Sequence, residues 1–456
     1  MLRAALFLLF RGVVRLFYRV ELLGERVPPV GPLLLVANHP GGLADPALML
    51  CTSGRPFVFL GKAPLLAMPV LGWCLRQMGM LPVYRAQDGH DTAQNEAMFK
   101  AVHGALGQGA ALVLFPEGKS HDLPGIQALK TGAARMALGT DPSLAGEPQI
   151  VPVGITYESK QRFRSRATLW VGAAFDAGEQ RSLHQQDPRQ AVGVLTQRIG
   201  CALEGVTIEL ARWDELPLLQ LAERLWTTGP SARGPKRTQR IAELARGWKR
   251  LKQRNPERAR RLRADLIEFK RSLDGLGLTP GHLDLSYSAG RVLRFSLLRG
   301  LEAFFGLPAI LLTRLWFLLP ELLVALVLRI GRPNPDVVST FKVLGGLVLF
   351  PLWHVAVCAL VGWRFGPAPA WALGLGVPLV AGLGLALWNR PASTWREISL
   401  WTRVAPAVRL RVQLRRRRDV LADELAHLAA EDQALREARA EAPDRGLAAP
   451  GEPPPP

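Results

Sequence analysis

Carboxylates are in short supply in this chain of 456 residues: 38 Asp and Glu stand against 57 Lys and Arg, a formal net charge of +19. That deficit excludes an acidic surface and directs attention to anionic partners. Cysteine is scarce as well. Cys51, Cys74, Cys201 and Cys358 are scattered, without metal-like spacing, which excludes a disulfide framework and reads as buried or free thiols in a reducing compartment. Asp and Glu are too dispersed to suggest a metal site. Lysine supplies only 10 of the 57 cations, an arginine bias that, with abundant Ala, Gly and Leu, a GC-rich genome would also produce.

What is abundant is apolar sequence, 48% of the chain. Apolar segments that insert and basic segments that meet anionic head groups together point to a membrane. Nucleic acid would also explain the charge, but no recognition motif for it is present, and none is expected as a partner. Val343–Trp363 is apolar for 21 residues apart from His354, and Ala370–Trp388 is a second run of 19; each is long enough to cross a bilayer. A short loop with Arg364 and Pro367 joins them, so they should go out and return. Lys342 and Arg390 flank the outer ends, which places both flanks in the cytoplasm. Ala303–Leu328 is interrupted by Arg314, Pro320 and Glu321 and reads as re-entrant or interfacial. Burial of these runs in a soluble helical core is the alternative. Residues 2–18, with Arg11, Arg15 and Arg19 at four-residue intervals, suggest a helix lying on the membrane; a core helix with one wet face is the other reading.

Residues 31–210 alternate between short apolar runs and helical patterns, as in an α/β domain with a mixed sheet flanked by helices. Strands are expected at Leu33–Ala37, Pro56–Leu60, Met80–Tyr84, Ala111–Phe115, Ile150–Thr156 and Thr168–Val171. Helices are expected at Pro46–Cys51, Leu71–Met78, Asp91–Gln108, Leu129–Leu138 and Asp187–Leu203. The expected organisation is an interfacial helix in 1–30, the α/β domain in 31–210, a basic helical region in 211–300, membrane-embedded helices in 301–390, a charged helix in 391–440 and a disordered tail in 441–456. Pro230 and Pro235 mark a linker, and Pro256 divides the basic stretch Arg240–Arg271, which could attract anionic lipid or simply be a solvated face.

Chemistry concentrates in two places. Asn38-His39-Pro40-Gly41-Gly42-Leu43-Ala44-Asp45 puts an imidazole six residues before a carboxylate, directly after the Leu33–Ala37 strand. A neutral histidine accepts a hydroxyl proton near neutral pH when an acceptor holds its other nitrogen. Asp45 could be that acceptor, with the glycines letting the chain double back. Asp45-Pro46 is also a good N-cap and N1 pair for the following helix. Phe115-Pro116-Glu117-Gly118-Lys119 follows the Ala111–Phe115 strand; Gly118 permits close backbone approach to a ligand, and Lys119 could neutralise a phosphate. Arg85, Lys130, Arg164 and Arg166 are further phosphate candidates, each of which could equally be a surface cation.

The segments Asn38–Asp45, Leu81-Pro82-Val83-Tyr84-Arg85, Phe115–Gly118 and Val151-Pro152-Val153-Gly154-Ile155 together resemble, in order, the four blocks of the glycerolipid acyltransferase family. The resemblance covers about residues 30–175. It implies that His39 is the general base and Asp45 its orienter, with Arg85, Glu117 and Gly118 positioning the acyl acceptor and its phosphate. Five residues separate His39 from Asp45 where the family usually has four. That longer form, Glu117–Asp122, Leu129–Arg135, Phe163–Arg166 and the C-terminal hairpin are similar to the branch acting on glycerol 3-phosphate and dihydroxyacetone phosphate.

The resemblance therefore implies a membrane enzyme, with its catalytic domain on the cytoplasmic face of a bacterial inner membrane. It would move an acyl group from acyl-CoA or acyl-carrier protein to a glycerol-phosphate hydroxyl in phospholipid synthesis. No metal or other cofactor is expected. Acylation of lysophosphatidate or another lysolipid is the nearest alternative, and a non-catalytic lipid-binding adaptor is an alternative of another class.

Overall fold

The computed structural model describes residues 1–84, 95–226, 237–283, 289–334, 337–387 and 408–441. Arg85, Pro230 and Pro235, segment 388–407 and the tail beyond Glu441 lie outside the described residues. The chain divides into two compact units: Met1–Trp213 with Gly290–Trp395, and Asp214–Ala289 with Arg396–Pro456.

The first unit is built on an eight-stranded mixed sheet. Its strands are β1 (Arg19–Gly24), β2 (Leu33–Ala37), β3 (Phe57–Lys62), β4 (Leu81–Val83), β5 (Ala111–Leu114), β6 (Gln149–Tyr157), β7 (Arg166–Val171) and β8 (Phe175–Asp176). They lie in the order β1-β7-β6-β2-β5-β3-β4, with β8 pairing β6. Pairing is parallel except where β6 meets β7 and β8. Helices α1 (Leu2–Phe17), α2 (Ala44–Met49), α3 (Pro69–Gln77), α4 (Asn95–Gly107), α5 (Gly132–Leu138), α6 (Pro142–Ala145), α7 (Arg181–Gln186) and α8 (Pro188–Val206) connect and cover it.

All five residues of β2 are buried because helices cover both faces. Alternation along the strand sends Leu33, Leu35 and Ala37 to a core shared with Leu6 and Val14 of α1 and Leu48 of α2. Leu34 and Val36 point the other way, to Val102 and Leu106 of α4 and Leu195 and Ile199 of α8. The result is a three-layer α/β/α sandwich in which β2 and β5 run side by side. Their carboxyl ends bring the His39 and Glu117 loops together.

Every strand expected from sequence is present, with ends shifted by a residue or two. Two strands are additional. Residues 19–24, assigned above to an interfacial helix, form edge strand β1: Tyr18 turns extended (φ −116°, ψ 154°), and Arg19 pairs in register with Arg166. Only Leu23 of β1 is buried, so its polar outer face hid the strand from the pattern. The cation series of the N-terminal helix accordingly stops at Arg15. The two-residue β8 is too short to leave a periodic signal.

The second unit contains α9 (Leu216–Trp226), α10 (Arg237–Arg254), α11 (Pro256–Leu276) and the long helix Val408–Glu441. Pro256 divides the basic stretch as expected, and the Asn255 side chain caps the new helix by accepting the Arg258 N–H at 3.0 Å. Leu225, Leu262, Leu266, Phe269, Leu421 and Leu425 share one apolar core. Some cations of this unit are paired, such as Arg417 with Glu268 at 2.6 Å and Arg240 with Glu223 at 2.6 Å.

Four apolar helices complete the first unit: α12 (Ala289–Trp316), α13 (Leu318–Gly331), α14 (Val338–Phe365) and α15 (Pro367–Leu387). The last two are each long and apolar enough to cross a membrane, and Leu352, Val355, Leu360, Leu375 and Leu379 on them are exposed. Gly366 (φ +91°) ends α14 and Pro367 opens α15, which makes the tight return. α12 and α13 meet at a bend of 57°. Pro320, which cannot donate a backbone hydrogen bond, lies in the first turn of α13, so the helix restarts there without losing a bond.

Candidate active site

The end of β2 is extended by a side chain. Asn38 Nδ2 donates to the Ile155 carbonyl at 3.0 Å, and Ile155 N–H donates to Asn38 Oδ1 at 2.7 Å, so the amide continues the ladder between β2 and β6. His39 comes next. Its ring stacks on Phe115 with centroids 4.1 Å apart and planes inclined 16°. Nδ1 lies 2.7 Å from Asp45 Oδ2, which leaves Nε2 as the nitrogen for a substrate hydroxyl. The His39 side chain is 18% exposed and that of Asp45 is 0% exposed, so a reachable base rests on a fully buried carboxylate.

Two glycines make this approach possible. Gly42 has φ +58°, in the left-handed region where a side chain is strained. A Cβ on Gly41 would come 2.7 Å from both Asp45 Oδ1 and the Tyr157 hydroxyl. Helix α2 begins at Ala44, with Leu43 as its N-cap, so Asp45 is not the cap residue that Asp-Pro suggested. Its Oδ2 accepts the Gly41 N–H at 2.7 Å as well as His39 Nδ1, and its Oδ1 accepts the Tyr157 hydroxyl at 2.5 Å. A buried carboxylate needs this many donors to be tolerated. Burial first, and the Asp45 charge second, push the Tyr157 hydroxyl well above its usual ionisation range, so it stays a proton donor.

Glu117 is 3% exposed, and both its oxygens face protein. Oε1 accepts the His39 backbone N–H at 2.9 Å; Oε2 accepts the Gln127 N–H at 2.9 Å and pairs with His121 Nε2. His121 N–H in turn donates to the His39 carbonyl at 3.2 Å. Glu117 is thus beneath the backbone of the base. Gly118 is left-handed (φ +74°), and Lys119 and Lys130 are exposed. The Lys130 stem packs over Gly118, 3.4 Å from where a Cβ would stand.

The structure therefore brings His39, Asp45, Glu117, Gly118, Lys119 and Lys130 to one end of the sheet. It places Arg164 and Arg166 at that same end, farther across the sheet and beside α1 and β1. Arg164 (φ +59°) donates its backbone N–H to the Phe17 carbonyl at 2.6 Å and turns its guanidinium to the end of α1, 3.4 Å from the Arg15 carbonyl. Arg166 lies 3.8 Å from Glu21 on the neighbouring edge strand. Partners that the sequence did not single out are Asn38, Tyr157, His121 and Lys160, whose Nζ donates to the Pro40 carbonyl at 2.9 Å and pairs with Asp122. Tyr157 ends β6, and a polar residue at a strand's carboxyl end was the available signal. The others are recognisable only from their contacts.

Comparison with known proteins agrees with this geometry. Residues 19–156, which hold His39, Asp45 and Glu117, match the family model described as Acyltransferase. The chain is 32% identical over 192 residues to glycerol-3-phosphate O-acyltransferase 2 of Saccharomyces cerevisiae, covering 40% of this chain and 25% of the relative. It is 28% identical over 275 residues to glycerol-3-phosphate O-acyltransferase 1 of the same yeast, covering 56% and 36%. A chloroplastic 1-acyl-sn-glycerol-3-phosphate acyltransferase of Arabidopsis thaliana is 28% identical over 145 residues, covering 30% and 39%. The chain spans between a quarter and about two fifths of these relatives' length. The segment 19–156 is an acyltransferase-family domain, carried on a chain with two helices able to cross a membrane.

Proposed function

We propose that this protein transfers a fatty acyl group from a thioester, acyl-CoA or acyl-carrier protein, to a hydroxyl of glycerol 3-phosphate or dihydroxyacetone phosphate. The observation that carries the reading is the 2.7 Å contact of His39 Nδ1 with a fully buried Asp45. Asp45 holds the Nδ1–H tautomer, so Nε2 is free to take the acceptor's hydroxyl proton. The oxygen then attacks the thioester carbonyl and forms the new ester bond. The C–S bond breaks, and the departing thiolate takes the proton back from Nε2. Asp45 stabilises the imidazolium between those steps, and Tyr157 holds Asp45 in place. The sequence needs no metal or other cofactor.

Lys119 and Lys130, exposed next to Gly118 among the described candidate cations, are assigned to the acceptor phosphate together with Arg85, which lies outside the described residues. Glu117 acts by holding the His39 backbone. The yeast relatives support a glycerol 3-phosphate acceptor; the Arabidopsis relative supports a second reading, acylation of lysophosphatidate. Purified full-length protein in lipid nanodiscs, given labelled acyl-CoA with each acceptor in turn, separates them. Transfer to glycerol 3-phosphate or dihydroxyacetone phosphate is the expected result. Transfer to lysophosphatidate alone would replace the first reading with the second. Lipid binding without thioester turnover would leave only an adaptor role. The setting we propose is the bacterial inner membrane, with α14 and α15 as a hairpin and the catalytic unit in the cytoplasm.

A further inference from the structure

The first turn of α14 carries two hydroxyls that an apolar membrane helix does not need. Ser339 is 0% exposed and Thr340 is 9% exposed. Buried hydroxyls are costly unless bonded, and both are bonded to the turn between His39 and Asp45. Thr340 Oγ1 accepts the Leu43 N–H at 3.0 Å, and Ser339 Oγ donates to the Gly41 carbonyl at 3.3 Å. Ser339 also contacts the Tyr18 hydroxyl, whose ring lies 5.2 Å from that of Tyr157 and which donates to the Lys160 carbonyl at 2.6 Å. Two positions after Thr340, Lys342 Nζ donates to the Gln161 carbonyl at 2.8 Å. The start of a candidate membrane span is thereby bonded both to the catalytic turn and to the loop after β6.

We infer that Thr340 and Ser339 are positioning residues of the acyl-transfer site, and that the near end of α14 is part of the active site as well as an anchor. This inference rests on the reading of His39 and Asp45 as the catalytic pair. The turn from Pro40 to Ala44 must bring Nδ1 to Asp45, and two of its residues are glycines with few conformational restraints of their own. Within the turn, Ala44 and Asp45 N–H groups bond to the Gly41 and Gly42 carbonyls at 3.2 Å each. These bonds shape the turn but do not place it relative to β5 and β6. Glu117 holds it at His39, Lys160 holds it at Pro40, and α14 holds it at Gly41 and Leu43. Removing the α14 contacts frees the half that aims the dyad, and misplacing a catalytic group by about 1 Å costs up to roughly a hundredfold in rate.

The test uses full-length protein in nanodiscs, with Thr340→Val, Thr340→Ser and Ser339→Ala. Thr340→Val keeps the side-chain shape but cannot accept the Leu43 N–H. It should lower kcat roughly tenfold with KM for both substrates little changed, and Thr340→Ser should restore the rate. Amide hydrogen exchange in peptides covering 40–45 should quicken about fivefold in Thr340→Val, while exchange in β2 and β5 stays as in wild type. Ser339→Ala should show the same pattern more weakly. An unchanged kcat, an effect confined to KM, or unaltered exchange in 40–45 would overturn the inference. Faster exchange throughout the sheet would also overturn it, since the residues would then serve the fold and not the turn. The exchange measurement is independent of acceptor chemistry. If wild type acylates none of the acceptors, the proposed function fails while this arm still reads the α14 contact.

Discussion

The Tyr157 hydroxyl donates to Asp45 Oδ1 at 2.5 Å, while Asp45 Oδ2 holds His39 Nδ1 at 2.7 Å. The dyad read from the sequence is therefore a three-residue chain, its last member contributed by the end of β6. Tyr157→Phe keeps the ring and removes the bond, leaving a buried carboxylate oxygen without that donor. Loss of a hydrogen bond to a charged group costs about 1.5–3 kcal/mol. Stability should fall by about that amount at neutral pH, and kcat roughly tenfold, as measured by chemical denaturation and steady-state assay. The pH dependence has a definite sign. The folded-state ionisation of Tyr157 is raised above 10.0, so its contribution is complete below about pH 10 and declines above it, where only the unfolded chain ionises. The stability gap between wild type and Tyr157→Phe should narrow as pH rises beyond that point.

His39→Ala removes the base and should reduce acyl transfer to background in a membrane assay. Asp45→Asn tests the tautomer. An amide at that position can present a donor to Nδ1, which would put the proton on Nε2 and leave no base for the hydroxyl. A loss of about 10³- to 10⁴-fold in kcat with nearly unchanged acceptor binding is expected. Retention of more than a tenth of the wild-type rate by either variant would exclude the mechanism.

Glu117→Gln distinguishes a positioning role from contact with substrate. The amide cannot accept the His39 N–H, the Gln127 N–H and His121 together, because one of its two positions is now a donor. One buried N–H is left unpaired, at a cost of about 1–3 kcal/mol. Stability and kcat should fall together, whereas KM for the acceptor should stay within about twofold. A rise in KM alone would return Glu117 to the substrate.

Thiol labelling separates burial from topology. Burial pushes the Cys51 thiol up, with Arg15 opposing, and the residue is buried against the sheet; Cys201 on α8 is exposed. Native protein should react with iodoacetamide at Cys201, and Cys51 should react only after unfolding. In sealed vesicles, an Ala368→Cys substitution at the exposed turn between α14 and α15 should be labelled by an impermeant maleimide from the side opposite to Cys201. Labelling of both from the same side would mean that the hairpin does not span.

Much of this protein was legible in one dimension because its signals are local. A short apolar run in Leu33–Ala37, a longer one in Val343–Trp363, and a histidine six residues from an aspartate each lie within a short window. Their physics depends on near neighbours, so residue order alone indicated the α/β class and the hairpin-length apolar runs, and offered Asp45 as either a helix cap or the partner of His39. Edge strand β1 was missed because an edge buries one residue in six and leaves no alternation to read. Arg164 and Arg166 looked like Lys119 and Lys130 in sequence, all basic residues after strands. Only folding shows that the arginines lie against α1 and β1, while Lys130 packs over Gly118.

The contacts that complete the site were beyond the reach of sequence. Tyr157 lies 112 residues from Asp45, and Thr340 lies 297 from Leu43. A buried hydroxyl in either place has no sequence signature of its own; its partner is chosen by which loops the sheet brings to one end. Sequence by itself determined which groups could do the chemistry. Tertiary structure decided which of them are aimed, since hydrogen bonds act over about 3 Å in space and are indifferent to separation along the chain.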